Sequence, residues 1–222
     1  MANYVLVHGA WGSGHYEQLR DDLQAAGHRV LIAQLRGMAT RRAELSPAIT
    51  LSDHVSDVMA QVEQAGIDRF VLVGHSYGGM VITGVATNLG ARIDALVYLD
   101  AFVPENGEAL WDLASDFERK HYIDAQRDAP GLVAPLPFIQ DPERQRHPLL
   151  TLTEPVRMTG EEAKIPLRCY VYATRGAPQT FGKFRDRAAC EPGWKLVELE
   201  GGHFIHLDQY AQVRDLLLRL AE

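Results

Sequence analysis

Short apolar runs that alternate with helix-like patterns are the strongest constraint on the fold. Six runs are mostly apolar at consecutive positions and rich in β-branched and aromatic residues: 4–7, 30–32, 70–73, 95–99, 169–172 and 196–199. Consecutive apolar positions are typical of strands that are buried on both faces. Because helical patterns separate the runs, the sequence predicts an α/β fold with right-handed crossovers. We expect a mostly parallel sheet of about six strands covered by helices on both faces.

Three helical patterns are clear enough to place. Their apolar positions are Tyr16, Leu19, Leu23 and Ala26; Leu51, Val55, Val58 and Val62; and Leu207, Val213, Leu217 and Leu220. Gly27 is expected to end the first helix, because glycine readily adopts the left-handed conformation found after helix ends. Thr50 is expected to cap the second helix, with Asp53 three residues later as its partner.

Residues 103–166 break the alternation. Seven of the eleven prolines lie inside this segment, Pro166 closes it, and its charged and aromatic residues follow no period. We interpret it as a lid of irregular chain and short helices, inserted after the strand that ends at Asp100. Ligands of open α/β sheets bind at the carboxyl ends of the strands, which such an insertion would cover. The alternative is a surface excursion with no role in binding.

Composition narrows the class of protein. The 222 residues favour a single domain over 1–222, and a net charge of −7 argues against nucleic acid or an anionic membrane as partner. No apolar window is long enough for a membrane span, and the N-terminus lacks the pattern of a signal peptide, so a cytoplasmic location is expected. Cys169 and Cys190 have no metal-like spacing and are interpreted as free thiols. A homodimer remains possible.

The stretch Gly74-His75-Ser76-Tyr77-Gly78-Gly79 follows one predicted strand and precedes a helical pattern. In that context Gly-x-Ser-x-Gly matches a nucleophile elbow, a sharp turn that exposes a serine hydroxyl above the sheet. Glycines fit at 74 and 78 because both positions come close to the serine. The alternative is a glycine-rich turn whose serine merely caps the helix.

A serine hydroxyl needs a base to act as a nucleophile at neutral pH. Among nine histidines, His203 is the favoured base, because it follows Gly201-Gly202 in the loop after the last predicted strand. His206 is the competitor, but it is expected in the first turn of the last helix. His75 is expected to point away from the reacting surface and to be structural.

An oxyanion hole needs two backbone N–H donors that point at one place. The amide of Tyr77, directly after the serine, is expected to supply one. The other is assigned to Ala10, in the loop His8-Gly9-Ala10-Trp11-Gly12 after the first strand. His8 and Gly9 are interpreted as residues that shape this loop.

The motifs together resemble a known family. HGAW at 8–11, GHSYGG at 74–79, YLDAFVP at 98–104 and GGH at 201–203 are similar to the small methylesterase and hydroxynitrile-lyase branch of the α/β-hydrolases. The resemblance covers nearly the full length. It implies the α/β-hydrolase fold, no metal or organic cofactor, and cleavage of small or lipophilic carboxylic esters.

The acid of the triad departs from the family pattern. The family usually places it after the penultimate strand, where residues 173–178 hold neither Asp nor Glu, and Asp186 comes too late. Asp100 ends the strand beside the elbow, an arrangement that resembles some lipases of this fold. We therefore predict Asp100 as the acid, the alternative being a loop hydrogen-bonder or helix cap.

The predicted substrate is a small-molecule ester with an apolar acyl or aryl group. Aromatic residues of the first loop, of the segment just after Asp100 and of the insertion are expected to line its pocket: Trp11, Phe102, Trp111, Phe117 and Phe138. Three other functions stay open: a non-catalytic ligand-binding protein, a hydroxynitrile lyase and a carbon–carbon hydrolase. The lyase is disfavoured, because Gly9 and Phe204 stand where lyases of this branch carry threonine and lysine.

Overall fold

Six parallel strands form the central sheet in a computed structural model that describes residues 1–12, 15–139, 141 and 143–220. The strands are β1 (Asn3–Val7), β2 (Arg29–Ile32), β3 (Phe70–His75), β4 (Ile93–Leu99), β7 (Arg168–Ala173) and β8 (Trp194–Leu199). Their order across the sheet is β2-β1-β3-β4-β7-β8, and every neighbouring pair is parallel. The six predicted runs therefore all become strands, and the predicted fold class is confirmed.

Helices cover both faces of this sheet. They are α1 (Glu17–Ala25), α2 (Leu51–Gln64), α3 (Gly78–Leu89), α7 (Pro178–Cys190), α8 (Ile205–Asp208) and α9 (Tyr210–Arg219). One apolar core joins α2, α3 and α7 to one face of the sheet, and a second core joins α1 and α9 to the other. In β3, Leu72 belongs to the first core and Val73 to the second. Burial on both faces explains why the strand sequences are apolar at consecutive positions.

The ends of two helices follow the sequence signals. The Thr50 hydroxyl accepts a hydrogen bond from the Asp53 amide at 3.2 Å, and Asp53 Oδ2 accepts one from the Thr50 amide at 3.0 Å. Gly27 follows α1 with φ of +87°. The C-terminal helix differs from the prediction, because it is broken at Gln209 into α8 and α9. Leu207 consequently lies 43% exposed rather than on the buried face.

Residues 103–166, named here the inserted segment, connect β4 to its sheet neighbour β7. The described part of the segment holds three short α-helices, α4 (Leu110–Leu113), α5 (Asp116–Ala125) and α6 (Leu150–Thr153), and a 3₁₀ helix at Glu161–Lys164. A separate antiparallel pair joins β5 (Leu132–Val133) to β6 (His147–Pro148). The predicted mixture of irregular chain and short helices is therefore observed.

Two further observations concern the chain as a whole. No helix within the described residues is long and apolar enough to cross a membrane. Both cysteines are free thiols, as predicted; Cys169 is buried in β7 and Cys190 is exposed at the end of α7.

Candidate active site

Ser76 occupies the turn between β3 and α3 with the backbone strain expected of an elbow. Its φ is +54°, in the left-handed region that side-chain-bearing residues rarely adopt. A Cβ at Gly74 would lie 2.7 Å from the Gly78 carbonyl oxygen, and a Cβ at Gly78 would lie 2.7 Å from the Val7 carbonyl oxygen. Both glycines are thus required by close backbone contacts. The serine does not serve as a cap, because the first turn of α3 receives no side-chain capping hydrogen bond.

Asp100 follows β4 and meets His203 directly. Asp100 is fully buried and its φ is +42°, so this strand also ends in a strained residue. His203 Nδ1–H donates to Asp100 Oδ2 at 2.8 Å, and the Ala173 amide donates to Oδ1 at 3.2 Å. The structure therefore brings together the predicted base and the predicted acid. Asp186 lies on α7 with its side chain 70% exposed, paired with Arg185.

Gly176 leaves space for the Asp100 carboxylate, which comes from the end of β4. It lies in the turn after β7, where the family usually carries the acid. A Cβ at this position would lie 2.9 Å from Asp100 Oδ2, so the Asp100 carboxylate fills the space that a side chain from the turn would need. Sequence reasoning noted the missing acid in this turn but did not single out Gly176.

Two neighbours hold the ring of His203: the Asp100 carboxylate at Nδ1 and the Phe181 ring against its face. It stacks on Phe181 with ring centroids 4.9 Å apart and an angle of 16° between the planes. Because Nδ1 donates to Asp100, Nε2 is the nitrogen available to a nucleophile. His203 and Ser76 line the same cavity, but no hydrogen bond joins their side chains in this structure. Such catalytic hydrogen bonds are often long in enzymes without substrate and tighten in the complex.

His75 holds the backbone of His203 in place. Its Nε2–H donates to the carbonyl of His203 at 2.8 Å, and its ring is 2% exposed. Burial, reinforced by the neighbouring His203, holds the pKa of His75 well below 6.5, so the ring is neutral at neutral pH. His75 therefore has the structural position that was predicted, and it fixes the loop that carries His203. His206 lies in α8, 2% exposed and away from the cavity wall.

Two backbone amides are placed to bind an oxyanion. Ala10 and Tyr77 both line the cavity beside Ser76. Within the described chain, no acceptor takes a hydrogen bond from either amide. The Tyr77 amide also belongs to the N-terminus of the twelve-residue helix α3, where the helix dipole favours negative charge. The sequence predicted these two amides as oxyanion donors, and that role stays a prediction.

Trp11 connects the loop of residues 8–12, which carries Ala10, to the inserted segment. Its backbone has φ of +66°, and its amide donates to His147 Nδ1 at 3.3 Å. Its indole N–H donates to the Val133 carbonyl at 3.2 Å, and its carbonyl accepts from the Gln145 amide at 3.0 Å. The loop conformation is thus set by residues more than 120 positions away in the chain.

Arg144 makes a further tie from the same segment. Its guanidinium donates to the Ala10 carbonyl at 3.0 Å and to Asp141 at 3.2 Å, and it lies 5.0 Å from the centre of the Phe204 ring. Its side chain is only 4% exposed. No pattern in the sequence identified this arginine, because its role depends on the folded path of the inserted segment.

A cavity of about 400 Å³ opens beside these groups. Three of the predicted pocket residues line it, namely Trp11, Phe102 and Phe138. The prediction was wrong for the other two. Trp111 lines a neighbouring cavity formed within the inserted segment, and Phe117 is 55% exposed and stacks on Phe138 from outside.

Sequence comparison supports the fold. A model of the alpha/beta hydrolase family matches residues 4–216. A carbendazim hydrolyzing esterase from Nocardioides sp. (strain SG-4G) is 35% identical over 241 residues, covering 99% of this chain and 100% of that protein. Salicylic acid-binding protein 2 from Nicotiana tabacum is 35% identical over 106 residues, covering 47% of this chain and 41% of that protein.

Structural comparison gives the same fold. An extracellular alpha/beta-hydrolase from a Paenibacillus species superposes with a TM-score of 0.84 and 20% identity, covering 99% of both chains. With its sequence matched along almost its whole length, this chain belongs to the alpha/beta hydrolase family and is an enzyme of the esterase type.

Proposed function

We propose that this chain is a serine carboxylesterase that hydrolyses small or lipophilic esters through an acyl-enzyme on Ser76. The observation that carries the proposal is the hydrogen bond of 2.8 Å between His203 and the buried carboxylate of Asp100, at the wall of the cavity that also holds Ser76. A histidine oriented by an acid beside a strained serine is the arrangement that activates a hydroxyl for acyl transfer.

The geometry supports the following reaction. Ser76 Oγ attacks the ester carbonyl while His203 Nε2 takes its proton. The developing oxyanion accepts hydrogen bonds from the Ala10 and Tyr77 amides. Asp100 stabilises the imidazolium, which then gives the proton to the departing alcohol. Water, deprotonated by the same nitrogen, cleaves the acyl-enzyme and restores the serine.

We also propose that the inserted segment acts as the lid of this site. Leu110, Leu136 and Leu152 line the cavity from three different parts of the segment. An apolar wall of this kind favours an apolar acyl or aryl group, and about 400 Å³ suits a small molecule.

The residue at position 9 of the first loop does not support a cyanohydrin-cleaving reaction. A Cβ at Gly9 would lie 3.1 Å from Ser76 Cβ and 3.2 Å from His75 Nδ1. A threonine there would require Ser76 or His75 to shift by a few tenths of an ångström, so this position as it stands is shaped for glycine.

Turnover of p-nitrophenyl acetate and butyrate tests the proposal. Ser76→Ala is expected to lower kcat about 10⁴-fold or more, because removal of the nucleophile leaves only binding and oxyanion stabilisation. Ser56→Ala, on the exposed side of α2, is the matched control and should retain full activity. Equal turnover by the native chain and Ser76→Ala would instead favour a ligand-binding protein without catalysis.

A further inference from the structure

The wall of the cavity contains a buried carboxylate that the reaction does not use. Glu118, in the first turn of α5, lines the cavity together with Ser76 and is only 8% exposed. In the described part of the chain, no lysine, arginine or histidine lies within salt-bridge distance of it. Buried carboxylates are normally paired, so this one needs an explanation.

Within the described residues, hydrogen bonds reach one of its two oxygens. Oε2 accepts from the Ser115 amide at 2.8 Å, the Ser115 hydroxyl at 2.7 Å and the Thr180 hydroxyl at 3.0 Å. Oε1 accepts no hydrogen bond from the described residues. The contacts to Ser115 form a capping box, which glutamine completes as well as glutamate. Capping therefore accounts for Oε2 but not for the second carboxylate oxygen.

The surroundings favour a hydrogen-bond donor at that oxygen. Tyr122, one helical turn later, lines the same cavity, and its phenol stays protonated because burial and the Glu118 charge both raise its pKa well above 10. Arg175 also lines the cavity, but its side chain is 69% exposed and is paired with Glu200 at the mouth. Aromatic and aliphatic side chains form much of the remaining wall. A ligand group that contacts Oε1 thus meets an acceptor in an apolar setting.

We propose that Glu118 binds an N–H group on the apolar part of the substrate, so that the enzyme selects esters whose acyl or alcohol group carries a neutral amine, amide or heterocyclic N–H. This inference rests on the ester hydrolysis proposed above. When a bound substrate shields such an acceptor from water, an analogue without a donor is rejected, because it leaves the acceptor unpaired.

Two pairs of p-nitrophenyl esters isolate the effect of one N–H group. The first pair is 4-aminophenylacetate and 4-methylphenylacetate, and the second pair is the corresponding 3-substituted esters. Amino and methyl groups are close in size, and the leaving group is common to all four. The amino ester is expected to have a kcat/KM at least about tenfold higher than its methyl partner in one of the two pairs, as for a hydrogen bond to a charged acceptor.

Glu118→Gln tests the residue itself. The amide keeps an oxygen for Ser115 and Thr180 but places an NH₂ group where Oε1 stood, so the preference for the amino ester should fall to about unity or reverse. Glu108→Gln is the matched control, since Glu108 also accepts a backbone hydrogen bond, from Glu105 at 2.7 Å, outside the cavity wall. It should leave the preference unchanged.

The outcomes separate the inference from the proposed function. If the native chain hydrolyses none of the four esters in a manner that depends on Ser76, the proposed function is overturned. If it hydrolyses them but shows no preference for either amino ester, the role of Glu118 is overturned even where Glu118→Gln does not fold. A preference that survives Glu118→Gln equally rejects the assignment.

Discussion

The ends of the parallel strands and the inserted segment contribute to the same cavity in different ways. The strand ends place Ser76 and Asp100 through strained backbone, with φ of +54° and +42°, held by hydrogen bonds to neighbouring strands. The inserted segment contributes the Glu118 side chain to the cavity wall, and its Arg144 contacts the carbonyl of the cavity-lining residue Ala10. In the function proposed above, the sheet therefore supplies the reacting groups, while the inserted segment supplies selectivity and holds the loop of residues 8–12 that carries Ala10.

Removing the strand-end acid should have the largest effect. Asp100→Asn is expected to lower kcat about 10⁴-fold with little change in folding, because the amide can no longer fix the His203 tautomer or stabilise its protonated form. Turnover of p-nitrophenyl butyrate and a thermal melt measure both quantities. Asp186→Asn, on the exposed surface of α7, should be as active as the native chain. A large loss in Asp186→Asn with none in Asp100→Asn would assign the acid to α7.

Removing a contact from the inserted segment should have a smaller effect on chemistry. Arg144→Met loses the hydrogen bond to the Ala10 carbonyl, so we expect the adjacent oxyanion donor to be less well placed and kcat to fall about tenfold. The matched control is Arg146→Met, because Arg146 forms no hydrogen bond or ion pair with the described residues. If Arg144→Met lowered kcat as much as Asp100→Asn, the strand ends and the inserted segment would not differ in their effect on the reaction.

The free energy of unfolding should decrease as the pH falls, because the folded chain buries neutral histidines. Burial lowers the pKa of His8 and of His54 from 6.5 to about 4, and the His54 ring lies 6.0 Å from that of His147 in the inserted segment. Between pH 6.5 and 4 the unfolded chain binds more protons than the folded chain at these two residues. Stability is therefore highest above pH 6.5 and decreases towards pH 4, by up to about 1.4 kcal/mol per pH unit for each histidine.

Urea unfolding at pH 7 and pH 5 measures this dependence. We expect a lower free energy of unfolding at pH 5, and a smaller difference between the two pH values in His54→Gln, which lacks one of the titrating groups. A free energy of unfolding that is equal or higher at pH 5 would contradict the burial of His8 and His54 as neutral rings.

The strand ends and the inserted segment also differ in how well the sequence predicted them. Strands buried on both faces leave a strong local signal, and the glycines around Ser76 are dictated by backbone contacts within a few residues or with adjacent strands. Asp100 and His203 could be placed because each follows a recognisable strand. These predictions need only the order of strands in the sheet.

The inserted segment gave no comparable signal. Trp111 and Phe117 are aromatic residues in the right part of the chain, but short helices without a repeated pattern do not reveal which side chain faces a cavity. The local sequence around Glu118 predicts only a helix-capping residue. Its hydrogen bond with Thr180, sixty-two positions later, and its place in the cavity wall both depend on the folded chain. Selectivity built from such contacts can be predicted only once the segment is folded.

Covalent labelling tests most directly that the chemistry resides on the strand-end serine. The protein is incubated with paraoxon, which transfers a diethyl phosphoryl group to an activated serine with release of p-nitrophenol, and intact mass and peptide mapping follow. The account predicts one adduct per chain, on the peptide that contains Ser76, and none in Ser76→Ala. An unlabelled native chain, or an adduct that persists in Ser76→Ala, would contradict it.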